Sequence, residues 1–179
     1  QFTLVDCLKT PLVEKLIVEA TLLLPPDLAD RQENARTPLS LRLACELRDH
    51  DPNLYVDSSL ENSHCDHRLR LLINSDIHTR HAIASQPFAI IERETGCHAE
   101  EWQEHYREMP VDIETSEGII AVAEAGKALV VNSRGMKEFQ IIGDAPATVA
   151  LTLFKSTGVL GRSDLDWRPG RASGINNTV

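Results

Sequence analysis

The chain has 179 residues, enough for one domain or slightly more, and a chain of that length buries most of its unfolded surface without a disulfide or metal staple. Its 27 acidic against 18 basic side chains give a net charge of −9, which repels nucleic acid and anionic membrane surfaces. No apolar run reaches the length of a membrane span, and the first ten residues lack the pattern of a signal peptide.

Leu12 to Leu24 is a run rich in Val, Ile and Leu that Pro25-Pro26 ends, because proline offers no ladder donor. The polar stretch from Asp27 to Pro38 reads as a solvated loop. Leu39, Leu41, Leu43, Cys45 and Leu47 then alternate with Ser40, Arg42, Ala44, Glu46 and Arg48, the period of a half-buried strand. Asp49 to Asn53 has turn composition, and Leu54, Val56, Ser58 and Leu60 alternate again. Residues 39–60 are therefore expected to form a hairpin with Leu39, Leu41, Leu43 and Leu47 on one core.

From His67 to Asn74, Leu69, Leu71 and Ile73 share one parity and Arg68, Arg70 and Leu72 the other, predicting a strand with an apolar and a charged face. A second run, Phe88 to Arg93, follows a connector containing Pro87. Thr95 to Glu108 is polar, carries Trp102 and Tyr106 at helical spacing, and is expected to make at most a short helical excursion near 97–108. Strands resume at Val111 to Glu114, Ile119 to Ala123, Ala128 to Asn132, Glu138 to Ile142 and Thr148 to Phe154, separated by Gly- and Pro-bearing turns. Roughly ten strands with short turns predict an all-β, antiparallel sandwich. Composition marks no internal boundary, so residues 1–179 are expected to be one layered segment.

Four groups could carry chemistry. His64-Cys65-Asp66-His67, with His78 and His81 behind, holds metal-ligand types, but extended His64 and His67 would face opposite ways, and a hydrogen-bonded turn is the preferred reading. Cys97-His98 with Glu101 and His105 has a nucleophile and a base without an orienting third group, so a surface excursion is preferred there. Carboxylate pairs such as Glu92 with Glu94, or Asp164 with Asp166, are expected by chance in so acidic a chain, so no catalytic residue is assigned. Ser163 to Arg171 combines two cations, an aromatic ring, two carboxylates and a Pro-Gly turn. Such a loop can hold a sugar, the ring stacking on its apolar face and Arg and Asp meeting its hydroxyls; the alternative is a structural corner. Cys7, Cys45, Cys65 and Cys97 lack C-x-x-C spacing and read as reduced thiols, and the sequon at Asn176-Asn177-Thr178 has no secretory context. A cytoplasmic source is expected.

Several words carry a resemblance. Asp66-His67-Arg68-Leu69-Arg70-Leu71-Leu72, Gln86-Pro87-Phe88 and Ile91-Glu92-Arg93 resemble signatures of bacterial α-mannosidases of glycoside hydrolase family 38, the group that includes mannosylglycerate hydrolases. Ala150 to Ser156, Leu160-Gly161-Arg162 and Arg168-Pro169-Gly170-Arg171-Ala172-Ser173-Gly174 resemble later words of that family, in the family's order. The resemblance covers about the last two thirds of the chain. It implies a galactose-mutarotase-like super-sandwich at the C-terminal side of a longer enzyme, with both ends, Gln1 and Val179, cut from it. It also implies that the nucleophilic Asp and the zinc ligands belong to an absent N-terminal catalytic domain, so no cofactor is expected in this segment. Partners implied are that catalytic domain and a mannoside at the interface, with Arg168 and then Arg171 as substrate-binding residues; homo-oligomerisation stays open, and nucleic acid and membrane are not expected. The rival readings are a stand-alone carbohydrate-binding module and a structural interaction domain whose sheet edges pair with a partner.

Overall fold

The structure is a computed structural model that describes residues 2–27, 30–96, 104, 110–160 and the backbone of 171–175. Among these residues every strand pairing is antiparallel, and helix is limited to a single turn, α1 (Asp30–Glu33), and to Glu104, so the all-β expectation holds. Composition marks no boundary, yet the contacts fall into two compact units: residues 1–67 with 156–179, and residues 68–155.

In the first unit β1 (Phe2–Lys9), β2 (Val13–Leu24), β3 (Thr37–Arg48) and β4 (Leu54–Leu60) form an antiparallel meander in chain order. Thr10 closes the first turn, its Oγ1 accepting from the amide of Val13 at 3.0 Å while its own amide donates to the Val13 carbonyl at 2.9 Å. The hairpin of residues 39–60 is present, with its loop at 49–53. Asp51 braces that loop, accepting from the amide of Asn53 at 2.9 Å and the hydroxyl of Tyr55 at 2.8 Å. Those two donors hold its carboxyl below the usual range. The guanidinium of Arg48 lies 3.9 Å from the centre of the Tyr55 ring.

Three expectations change here. The stretch after Pro26 contains α1, because Asp27 accepts from the amide of Asp30 at 3.0 Å in the manner of an N-cap. β1 escaped the reading, because a bulge between Leu4 and Asp6 breaks its period-two alternation. Of the leucines expected to share a core, Leu39 and Leu41 are buried, Leu43 is half-buried and Leu47 is 49% exposed. All four do share a face; that face is covered at only one end. A further small sheet, β13 (Thr157–Leu160) with β14 (Arg171–Ile175), also belongs to this unit.

The second unit is a sandwich. One sheet runs in the order β10 (Lys127–Asn132), β9 (Ile119–Glu124), β6 (His81–Gln86), β7 (Ala89–Glu94). The other runs β5 (Arg68–Asn74), β12 (Thr148–Lys155), β11 (Glu138–Ile142), β8 (Ile113–Thr115). The facing residues Ala82, Ala84, Ile120 and Val122 of one sheet cluster with Phe139, Ile141, Val149 and Leu151 of the other, all under 7% exposed. Alternation decides which residues take part: Ile120 and Val122 are fully buried while Ile119 between strands' outer neighbours is 44% exposed. Phe88, expected to begin a strand, occupies the β6–β7 turn at φ 68° and is fully exposed. With Pro87 before it, this is the pattern of a type II turn, occupied by an aromatic where glycine is usual. Gly118 serves a similar need, at φ 129° with the Ser133 carbonyl only 3.1 Å from where a side chain would begin. The excursion expected near 97–108 lies outside the described residues except at Glu104. No helix among the described residues is long and apolar enough to cross a membrane.

Truncating the most enclosed large side chain of the sandwich should show the asymmetry between the units. Phe139→Ala should cost about 3–5 kcal/mol in denaturant unfolding, as expected for a buried aromatic. Leu47→Ala should stay within about 0.5 kcal/mol, the usual range for exposed positions.

Candidate functional site

The word at Asp66-His67 begins inside a buried polar turn that ties distant parts of the first unit together. Asn62 fixes the backbone, its Nδ2 donating to the His64 carbonyl at 2.7 Å and its Oδ1 accepting from the His64 amide at 3.3 Å. The His64 ring is 1% exposed; Nε2 lies 2.8 Å from Thr37 Oγ1 and 3.3 Å from the Thr37 carbonyl, and Nδ1 lies 3.0 Å from Ser63 Oγ. Between them the two ring nitrogens engage the hydroxyl and carbonyl of Thr37 and the hydroxyl of Ser63. The Cys65 amide donates to the Pro26 carbonyl at 2.7 Å. Asp66, at φ 53°, accepts from the Gly158 amide at 2.6 Å through Oδ1 and from Arg31 Nη2 at 2.7 Å through its carbonyl. Ser156 closes the set, its amide donating to the His67 carbonyl at 2.9 Å.

These contacts decide the chemistry of the four-residue group. His64 and His67 meet edge to face with ring centres 6.1 Å apart, and His64 and Asp66 spend their polar atoms on the fold. Among the described residues no group of three or more His, Cys, Asp or Glu side chains could hold a metal ion. His67 is half-buried, and burial pushes its pKa below the usual 6.5. The nearby charges of His64 and Arg31 push the same way, while a backbone hydrogen bond at Cys65 opposes them.

In the second unit two polar groups stand out. Glu138 on β11 lies 3.1 Å from Arg68 Nε, 3.6 Å from Lys155 Nζ and accepts from the Thr152 hydroxyl at 3.0 Å. Beside it Arg70 Nη1 donates to Gln140 Oε1 at 2.7 Å. This row covers the sandwich's outer surface and leaves no side chain aimed at a ligand. At the other edge, a pocket of about 210 Å³ opens between β7 and β8 over Ala82, Phe139 and Ile141. Arg93 and Glu114 pair across its mouth, with Glu94 and Asp112 on the rim. Among the described residues that line it there is charge but no nucleophile with a base. Sequence reading passed over Asn62, Thr37, Glu138 and Glu114; only Arg93 carried a signal, by lying in a family word.

The other sequence candidates fare unevenly. Glu92 and Glu94 share one exposed side of β7, and Glu94 faces Arg80 at 3.9 Å, so they form no enclosed acid pair. Arg171 opens β14, its backbone opposite Leu160. Arg168, Trp167, Asp164, Asp166, Cys97, His98, Glu101 and His105 lie outside the described residues.

The fold and the words together define an antiparallel β-region of the kind found within long family 38 glycoside hydrolases, as the resemblance implies. No protein-family model matches the chain. In sequence it is 26% identical over 146 residues to the "Putative mannosylglycerate hydrolase" of Halalkalibacterium halodurans, covering 79% of this chain and 14% of that protein. In structure it is similar to an α-mannosidase from Enterococcus faecalis V583, with TM-score 0.76 and 19% identity, over 96% of this chain and 20% of that one. A glycosyl hydrolase family 38 protein from Enterococcus faecalis is similar too, with TM-score 0.71 and 17% identity, over 90% and 19% of the two chains. At such identities the structural likeness speaks for the fold alone. The chain spans a fifth or less of each protein it matches.

The depressed His67 pKa makes a pH prediction. Below 6.5 the unfolded chain takes up a proton that folded His67 resists, so this stability is fully present above pH 6.5 and is lost as pH falls through the folded pKa. Melting temperature measured from pH 8 to 5 should therefore fall in the acid range, and His67→Gln should flatten that fall.

Proposed function

We propose that the chain is the non-catalytic C-terminal β-region of a family 38 α-mannosidase-like glycoside hydrolase, bracing a catalytic domain that lies outside these 179 residues. One observation supports the reading: sequence and fold match within proteins roughly five times longer, named as a mannosylglycerate hydrolase, an α-mannosidase and a family 38 glycosyl hydrolase. In that parent, zinc and a carboxylate nucleophile of the catalytic domain supply mannoside cleavage with retention. This chain supplies rigidity, and at Arg168, with Arg171 second, a cation for the sugar pocket. Proline limits the backbone freedom of the residue before it, which favours Arg168 over Arg171 for that role. A cytoplasmic location belongs to the same proposal.

Arg168→Ala in the longer enzyme should lower kcat/KM by roughly tenfold to a hundredfold, the loss of one charged hydrogen bond worth about 1.5–3 kcal/mol. Its melting temperature should hold. A structural corner would give the opposite pair of results, a lower melting temperature with near-normal kinetics, and would retire Arg168 from the pocket. The 179-residue chain alone should hydrolyse no aryl α-mannoside, with or without added zinc, because a brace cannot supply transition-state stabilisation. Turnover that a substitution within this chain abolishes would refute the assignment.

A further inference from the structure

The four-stranded sheet of the first unit has two faces of opposite character, and only one of them is finished. Residues paired across antiparallel strands share a face. The register therefore places Leu4, Val18, Leu43 and Ser58 in one row, and Cys7, Leu16, Cys45 and Val56 in the next. Leu47 and Leu54 continue that face to its end, where Lys9 and Glu14 form a polar rim, 2.5 Å apart. The opposite face carries Lys15, Glu46, Arg48 and Tyr55, joined by two ion pairs and a cation–ring contact. Charged groups paired in water need no further cover. On the apolar face Ala20, Leu39 and Leu41 are buried at one end, but Phe2, Leu4, Leu16, Leu47, Leu54 and Val56 are between 41% and 73% exposed. Monomeric soluble domains rarely leave so many large apolar side chains together on one sheet face, and a polar-rimmed apolar patch marks an interaction surface.

We propose that this open end docks against an uncharged, aliphatic surface of the domain that the preceding section assigns to the same polypeptide; the inference rests on that reading. Length favours this occupant over a second copy. The chain covers only 14% to 20% of the proteins it matches, so most of such a polypeptide is available to cover the patch. A tethered domain arrives at high effective concentration, whereas self-association must first overcome the loss of translational and rotational freedom.

Cys7 is a built-in reporter, being a free, exposed thiol on the edge strand of the patch beside Leu16. Its alkylation by a maleimide, followed peptide by peptide by mass spectrometry, should be fast in the 179-residue chain and at least about tenfold slower in the longer polypeptide, where reaction waits on local opening. Equal rates in both would overturn the docking while leaving the proposed function intact, since that stands or falls on mannosidase turnover by the longer protein. Slow labelling of the short chain that quickens on dilution would overturn it in favour of a second copy. Leu16→Glu gives the independent arm: it should lower the melting temperature of the longer polypeptide and leave that of the short chain unchanged. The reverse would assign the patch to the unit's own folding. A coding frame without a further domain would overturn both proposals together.

Discussion

The antiparallel ladder between β5 and β12 is the constraint on which the second unit depends. It joins Arg68 to Lys155, Arg70 to Thr152, Leu71 to Leu151 and Ile73 to Val149, residues roughly eighty positions apart in sequence. Closing so long a loop costs entropy before any contact repays it, so this pairing is slow to form and must be strongly specified. Its specification is visible in the side chains. Ile73 lies against the core beside Val149 and Leu151, while Arg68 and Lys155 meet Glu138 on the outer surface. A slip of one residue would exchange those faces, putting two cations into a core with no acid to receive them. Register is thus held from both sides, by burial within and by charge pairing without.

Two of the words that carry the family resemblance turn out to be these two strands. That gives the resemblance a physical content: the words are the two halves of one ladder, and their charged positions are the outer row that fixes it. A third, Gln86-Pro87-Phe88, is a hairpin turn, and Gln86 Nε2 donates from it to the Thr115 carbonyl on β8. Arg93 of a fourth reaches from β7 to Glu114 of β8, joining the edges of the two sheets. The words therefore mark where the sandwich is tied together. Within the described residues their side chains are engaged in tying strands and sheets together.

How far the sequence could be read depended on whether a local pattern survived its surroundings. β3 and β4 were legible because nothing interrupts their alternation, and most sandwich strands because their turns carry Gly or Pro; β6 was taken for a connector, since its core-facing Ala82 and Ala84 are too small to mark an apolar stripe. β1 was hidden by its bulge: with Val5 as the extra residue, Leu4 and Cys7 fall on the same face although their spacing is odd. Leu47 was assigned to a core on parity alone, and parity fixes the face but not whether anything covers it. Phe88 was taken for a strand residue because it is apolar and aromatic, whereas it follows Pro87 in a two-residue turn and takes a φ of 68° there. The turn around His64 was legible in kind, as hydrogen-bonding side chains rather than ligands. Its partner Thr37 was not, since no local pattern relates residues 27 positions apart. The sugar-facing assignment of Arg168 rests on composition and resemblance, and that loop lies outside the described residues.

The two units are stabilised on different terms. In the second, both sheets bury their apolar faces against each other, and Ile120, Val122 and Val149 reach complete burial with ordinary β-branched side chains. Such a unit closes on itself. The first unit has one four-stranded sheet whose apolar face is covered at the Leu39 end and open at the Leu54 end, so much of its hydrophobic stabilisation is still unrealised. Its polar devices, the His64 turn and the Asp51 loop, fix geometry but add little net stability, because each hydrogen bond replaces one made to water. A sheet arranged this way holds its shape through local hydrogen bonds and gains its remaining stability only when something apolar is laid on it. The two units thus differ in how much of their apolar surface the described residues cover.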